Sequence, residues 1–313
     1  MKHIVRFAPC LLGLSIALAW PGPELALGAR PKAHAEGRAK GLARWIEDNR
    51  SILTIDEVLA DEVNRMEVEV EFGFGEIRVE RGNPSKAVTG YIHYDEEYLS
   101  PEVEYEVKGG VARFRLTTKS RREGWGGFKM RDTESPESEL YFTTRVPIEV
   151  DFSCGLGEAH LDLGELKVMD LSLDNGLGET TLDFSTPNGV KLRQISVDNG
   201  LGALVARNLS NARTERLKFD CGLGAAELDF GGEELQDMSV DVNVGLGSVT
   251  MHIPRGFNVE MEANESFLSS IDVRDMVVKG RGRYRSENYD PDKPTLRITA
   301  SVGLGSIDIK WTD

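Results

Sequence analysis

From about residue 66 onward, apolar and polar residues alternate with period two, and a recurring tripeptide punctuates the alternation. Gly-Leu-Gly occurs at 155–157, 176–178, 200–202, 222–224, 245–247 and 303–305, its first glycines 21, 24, 22, 23 and 58 residues apart. After each tripeptide the second and fourth residues read Ala159 and Leu161, Thr180 and Leu182, Leu204 and Ala206, Ala226 and Leu228, Val249 and Met251, Ile307 and Ile309. Before it, the same parity gives Val150 and Phe152, Leu171 and Leu173, Ile195 and Val197, Leu217 and Phe219, Val240 and Val242, Ile298 and Ala300. Period two is the signature of a strand with one buried face. A unit of about 22 residues with two short strands cannot bury that face alone, so successive units must stack on one another. Glycine suits the junctions because it turns the chain or admits a neighbouring backbone where a side chain would not fit. The pattern excludes helical repeats and predicts an all-β, β-solenoid-like stack over 145–313.

The long interval hides a degenerate copy. Phe267-Leu268-Ser269-Ser270-Ile271 aligns with Gly303-Leu304-Gly305-Ser306-Ile307 and divides 58 into 22 and 36, which gives seven coils, the last with an insertion of about 13 residues. In chain order, Ile271 and Val273 then belong between Val249 and Met251 on one side and Ile307 and Ile309 on the other. Gly73-Phe74-Gly75-Glu76-Ile77 is a related piece, but it lies 82 residues before Gly155 and so outside the regular array. Residues 66–118 alternate as further strands, with a hairpin turn expected at Lys108-Gly109-Gly110. We read 66–144 as an antiparallel β capping module. In 36–65, Leu42, Trp45 and Ile46 at i, i+3 and i+4 suggest a short helix followed by a linker. Residues 1–35 read as a signal peptide: Lys2 and Arg6 open it, an apolar run spans Phe7 to Trp20, and Ala33-His34-Ala35 offers a cleavage site.

Composition narrows the function classes. The 313 residues carry a net charge of −15, and removal of 1–35 takes four basic residues and one acid, leaving about −18. That field repels phosphate polymers, so no nucleic acid is expected as a partner. No later segment reaches ~18 apolar residues, so the mature chain is expected to lack a transmembrane segment, and the signal peptide makes the expected location periplasmic or extracellular. Glycine, at 33 residues, is the one enriched type, in keeping with its use at turns.

The strand Glu67–Glu80 ending Gly-Phe-Gly-Glu-Ile-Arg-Val, the segment Pro101-Glu-Val-Glu-Tyr105 and the run of Gly-Leu-Gly coils together resemble the toast-rack family of bacterial exported proteins. The repeat part is also similar to the extracytoplasmic domain of LiaF-type envelope-stress proteins and to adhesin heads. The resemblance spans roughly residues 60–311. It implies a non-catalytic binding or structural module at the cell envelope, adhesin-like or linked to envelope stress, and it brings no catalytic residues with it. The membrane helices of the LiaF type have no counterpart in this chain.

Candidate chemistry is sparse. Asp174, Asp198 and Asp220 stand second before three successive tripeptides, and stacking would align them as an outward carboxylate ladder suited to Ca²⁺, or simply to water. No other cofactor is expected. The next position inward holds Cys154, Asn175, Asn199 and Cys221, a packing pattern with a buried amide ladder in which the two cysteines lie three coils apart, too far for a disulfide. A basic aromatic segment, with Lys119, Arg121, Arg122, Trp125, Phe128, Lys129 and Arg131, is a candidate grip on an envelope component or protein partner. Lys279 to Arg285 forms a second basic patch. His93, His160 and His252 are dispersed and no catalytic motif is present. The alternative is a carbohydrate-active enzyme, a polysaccharide lyase or glycosidase on a β-helix scaffold, with Glu158, Asp162, Glu179 and Asp183 as conceivable acid and base.

Overall fold

The structure, a computed structural model, describes residues 50–120, 137–233, 235–265 and 269–313. The expected leader over 1–35, the helix over 37–49, Arg121 through Arg131 of the basic segment, and Phe267-Leu268 lie outside these residues. The described residues form one 17-stranded sheet and no α-helix. The alternation produces long bent strands: β2 (Arg65–Arg81), β7 (Ile148–Asp162), β8 (Val168–Asp183), β11 (Arg216–Asp229), β12 (Met238–Pro254) and β17 (Thr295–Thr312). One coil is split into β9 (Ile195–Asn199) and β10 (Ala203–Arg207). Each coil therefore has two arms joined at its tripeptide, and the inward residues of both arms belong to one continuous core. Phe152, Phe219, Leu173, Val242, Ile298 and Ile307 are among those almost fully buried.

Adjacent coils pair in parallel with tripeptide on tripeptide: Leu156 faces Leu177, Leu223 faces Leu246, and Leu246 faces Leu304. Two details differ from the chain-order reading. Gly73-Phe74-Gly75 is inside the array, since β2 pairs with β7 along its length and sets Phe74 opposite Leu156 and Gly75 opposite Gly157. The 82-residue gap is filled by strands that lie on the other side of β2. The degenerate coil, in turn, is not between the fifth and last tripeptides. The C-terminal strand β17 pairs directly with β12, and β13 (Asn258–Glu265) and β14 (Ser269–Asp272) pair with the far side of β17. Ile271 does face Ile307, as the alignment requires, but Val249 and Met251 are a strand away, behind β17.

Beyond β2, one arm continues through β5 (Val111–Ser120) to β4 (Leu99–Lys108), and the other through β6 (Ser138–Phe142) and β3 (Lys86–Asp95) to β1 (Arg50–Val58). Gly109 and Gly110, at φ +59° and +78°, make the expected tight hairpin between β4 and β5. β1 occupies part of the stretch read as linker. It is an edge strand with Ile55 inward but Ile52 and Val58 exposed, so apolar residues on both faces mask its period. The chain's last insertion closes with a hairpin of β15 (Met276–Gly280) and β16 (Arg283–Ser286).

Candidate functional site

The corner of the stack is built by the second glycine of each tripeptide. A Cβ at Gly178 would stand 1.9 Å from the carbonyl oxygen of Gly157, one at Gly224 2.2 Å from that of Gly202, and one at Gly305 1.8 Å from that of Gly247. No side chain fits against a backbone at such distances, so only glycine lets the coils close to hydrogen-bonding range here. Inside the corner the space is filled by Cys154, Asn175, Asn199, Cys221 and Val244 from one arm and by Ala159, Thr180, Leu204, Ala226 and Val249 from the other. The leucine between the glycines therefore turns outward. Leu177, Leu201, Leu223, Leu246 and Leu304 are 42%, 55%, 50%, 49% and 43% exposed. With half-buried Phe74 and Leu156 at one end, they form a ridge of seven rungs about 29 Å long at ~4.8 Å per rung. Single exposed leucines are ordinary, but a contiguous apolar strip marks an interaction surface.

The ridge is flanked by carboxylates over its first coils. On one arm the flanking residues are Glu71, Ser153, Asp174, Asp198, Asp220, Asn243 and Ser301; on the other, Glu76, Glu158, Glu179, Ala203, Ala225, Ser248 and Ser306. The ridge thus runs from an acidic end to a neutral one. The register places Asp174, Asp198 and Asp220 on three adjacent rungs. Two rungs span ~9.6 Å at the backbone, more than one cation's ligands can cover, so a calcium ion could take an adjacent pair at most. The Lys218 ammonium pairs with Asp220, and the Asn243 amide donates to it at 2.7 Å. Desolvation is the largest influence on Asp220 and acts upward, but Lys218 and Asn243 outweigh it and hold the carboxyl below its usual range. Asp198 is pushed up, first by desolvation and then by Asp220.

A raised folded-state value means that ionised Asp198 opposes folding above that value, and that the cost is relieved as pH falls through it. Asp198→Asn is therefore expected to raise stability at pH 7 by about 0.2–1 kcal/mol, the scale of one cross-strand side-chain pair, and to shrink the gain on acidification. Thermal melts of both proteins at pH 7 and pH 5 check this, and repetition with millimolar Ca²⁺ tests the calcium candidate, which predicts a gain in the parent that the variant loses.

Behind the ridge, Asn175 donates to Asn199 at 2.7 Å and accepts from the Thr180 hydroxyl at 3.0 Å, while the Asn199 amide reaches Cys221 Sγ at 3.6 Å. Cys154 and Cys221 are free and buried, with register placing three strand spacings between them. Burial raises the Cys154 thiol to about 11 and pushes Cys221 up as well, so both are packing groups rather than reactive thiols.

The carboxylates considered for catalysis do not converge as a set. Asp162 accepts from the Gly164 amide and the Ser185 hydroxyl, and Asp183 accepts from Asn208, so both brace turns. Glu158 and Glu179 sit on the corner rung beside the ridge. A surface depression near the corner is lined by Asn243, Val244, Gly245, Asn264, Ser301, Val302 and Gly303, without an ionisable group. In the second basic patch Arg283 pairs with Glu262, and Arg285 lies over Tyr289 at 4.7 Å. Of the basic aromatic segment, the described Lys119 pairs with Glu102. Arg121, Arg122, Trp125, Phe128, Lys129 and Arg131 lie outside the described residues.

The chain matches the family model described as the N-terminal domain of toast_rack, DUF2154, over residues 47–207, just over half its length. No curated protein matches it. Among solved structures, a "putative cell adhesion protein" from Clostridium sporogenes is 18% identical at a TM-score of 0.44, with 84% of this chain and 99% of that one covered. A "putative adhesin" from Bacteroides fragilis is 14% identical at a TM-score of 0.39, with 83% and 97% covered. Among the described residues, no helix is long and apolar enough to cross a membrane.

Proposed function

The chain belongs to the toast-rack family, and from that premise we propose that it is an exported module of the bacterial envelope that holds a protein partner along its leucine ridge. The family and the all-β repeat fit a non-catalytic binding or structural role. The observation that carries the reading is the ridge itself. The packed corner needs only glycine, yet a large apolar residue stands exposed on coil after coil. Carboxylates on both flanks of its first coils favour a segment that carries apolar residues interspersed with lysine or arginine, because the leucines supply desolvation and the acids select charge and register. The basic aromatic segment, Arg121, Arg122, Trp125, Phe128, Lys129 and Arg131, is proposed as a second contact to acidic residues of that partner.

The test uses synthetic probes. A fluorescent peptide of alternating lysine and leucine should bind the full chain with saturable anisotropy that weakens with salt. Lysine–serine and glutamate–leucine peptides of equal length should not. Equal binding of the lysine–serine peptide would reduce the surface to a diffuse acidic wall and remove the case for the ridge. Alanine at Arg121, Arg122 and Trp125 should leave the lysine–leucine peptide bound and weaken retention of envelope extract; unchanged retention would exclude the second contact.

A further inference from the structure

A second arrangement shares Glu76 and Glu158 with the acidic flank of the ridge and adds a histidine on the outer face of that arm. Register sets Glu76 of β2 opposite Glu158 of β7, and Arg78 opposite His160. Because residues 158 and 160 share a face of their strand, the two carboxylates and the imidazole meet on one side of the sheet. Each offers a ligand atom, and these atoms all lie within 4.8 Å of one another, the spread that donors to a single ion require. Among the described residues this is the group of histidine, cysteine and carboxylate side chains that converges in this way. Arg78, opposite His160 in the register, pairs with Glu137 at 2.7 Å. Glu179 extends the carboxylate rung by one strand and adds negative potential next to the group.

We infer that Glu76, Glu158 and His160 form a site for a divalent transition metal of the zinc class. One imidazole nitrogen with two carboxylate oxygens is a donor set for Zn²⁺ or Co²⁺, with a remaining position open to water or to a partner's ligand. Calcium and magnesium, which take oxygen ligands, gain nothing from the histidine. The site links the first Gly-x-Gly coil to the second, since its ligands come from β2 and β7. Metal bound to the folded form alone therefore clamps the stack at its acidic end.

The experiment is a titration of the tag-free full chain, stripped with chelator and desalted, with Zn²⁺ by calorimetry and with Co²⁺ by visible absorption. One equivalent should bind, with an absorption change typical of nitrogen and oxygen ligation and a rise in melting temperature. His160→Gln and Glu76→Gln should each weaken binding by roughly tenfold or more. Because both positions are on the outer face, these variants should melt as the metal-free parent does. His252→Gln, which removes a histidine from another coil, should bind as the parent does. Three results would each overturn the assignment: no saturable uptake, His160→Gln with the parent's affinity, or displacement of the ion by equimolar Ca²⁺.

Discussion

Gly157→Ala is expected to cost about 3–5 kcal/mol or to prevent folding, whereas Gly222→Ala, in a tripeptide of the same sequence, is expected to cost about 1 kcal/mol. Gly157 is at φ +144°, a conformation that a side chain strains, and its Cβ would sit 1.9 Å from the Gly75 carbonyl oxygen. The obstacle is backbone in a parallel ladder that runs from Met66 to Val79, so relief requires separating β2 from β7 at the corner. Gly222 is the first glycine of its tripeptide, carries no such strain, and would meet the Gly200 carbonyl oxygen at 3.1 Å, a contact that a few tenths of an ångström relieve. Urea melts of the two variants check the difference. A Gly157→Ala protein as stable as Gly222→Ala would show that the corners do not stack in this register.

Truncation after Pro294 should disrupt the whole C-terminal third. β17 lies between β12 and β13, so its loss exposes the inner edges of both and leaves β14 without its strand partner. It also removes the buried Leu296, Ile298, Val302, Ile307 and Ile309 from the core. At about 1.5–3 kcal/mol each, these five side chains amount to on the order of 10 kcal/mol, comparable to the total stability of a domain. Hydrogen exchange should show protection lost across 238–265. Coils stacked in chain order would behave differently, because the same cut would trim only an outermost coil and leave 238–254 protected.

The inward faces were legible because their alternation is strict: Val150 and Phe152, Leu217 and Phe219, and Ile307 and Ile309 are buried where period two puts them. The order of the last coils was not, because periodicity reports which face is buried and says nothing of which neighbour covers it. The glycines hold that information. Gly305 approaches Gly247 so closely that only glycine fits, whereas Ser269, which lies opposite Gly305 on the far side, stands where the other coils carry the second tripeptide glycine, a replacement that suits the end of the stack. The ridge escaped the sequence for a different reason. Cys154 and Ala159 both point inward although they are five residues apart, so the tripeptide absorbs a change of parity and alternation cannot orient its leucine. The Glu76, Glu158 and His160 group was invisible because Glu76 stands more than 80 residues before the other two and meets them only through the register of β2 with β7.

The central claim is that the glycines of the tripeptide make the fold and its leucines serve a partner. The most direct measurement is the thermal melt of a single variant in which Leu177, Leu201, Leu223 and Leu246 are all replaced by threonine, which keeps β-propensity and removes the apolar strip. The account predicts a melting temperature close to that of the parent, together with loss of the lysine–leucine peptide. Were the leucines core residues, each change would cost roughly 2–5 kcal/mol and the four together would unfold the chain, a result that would contradict the account.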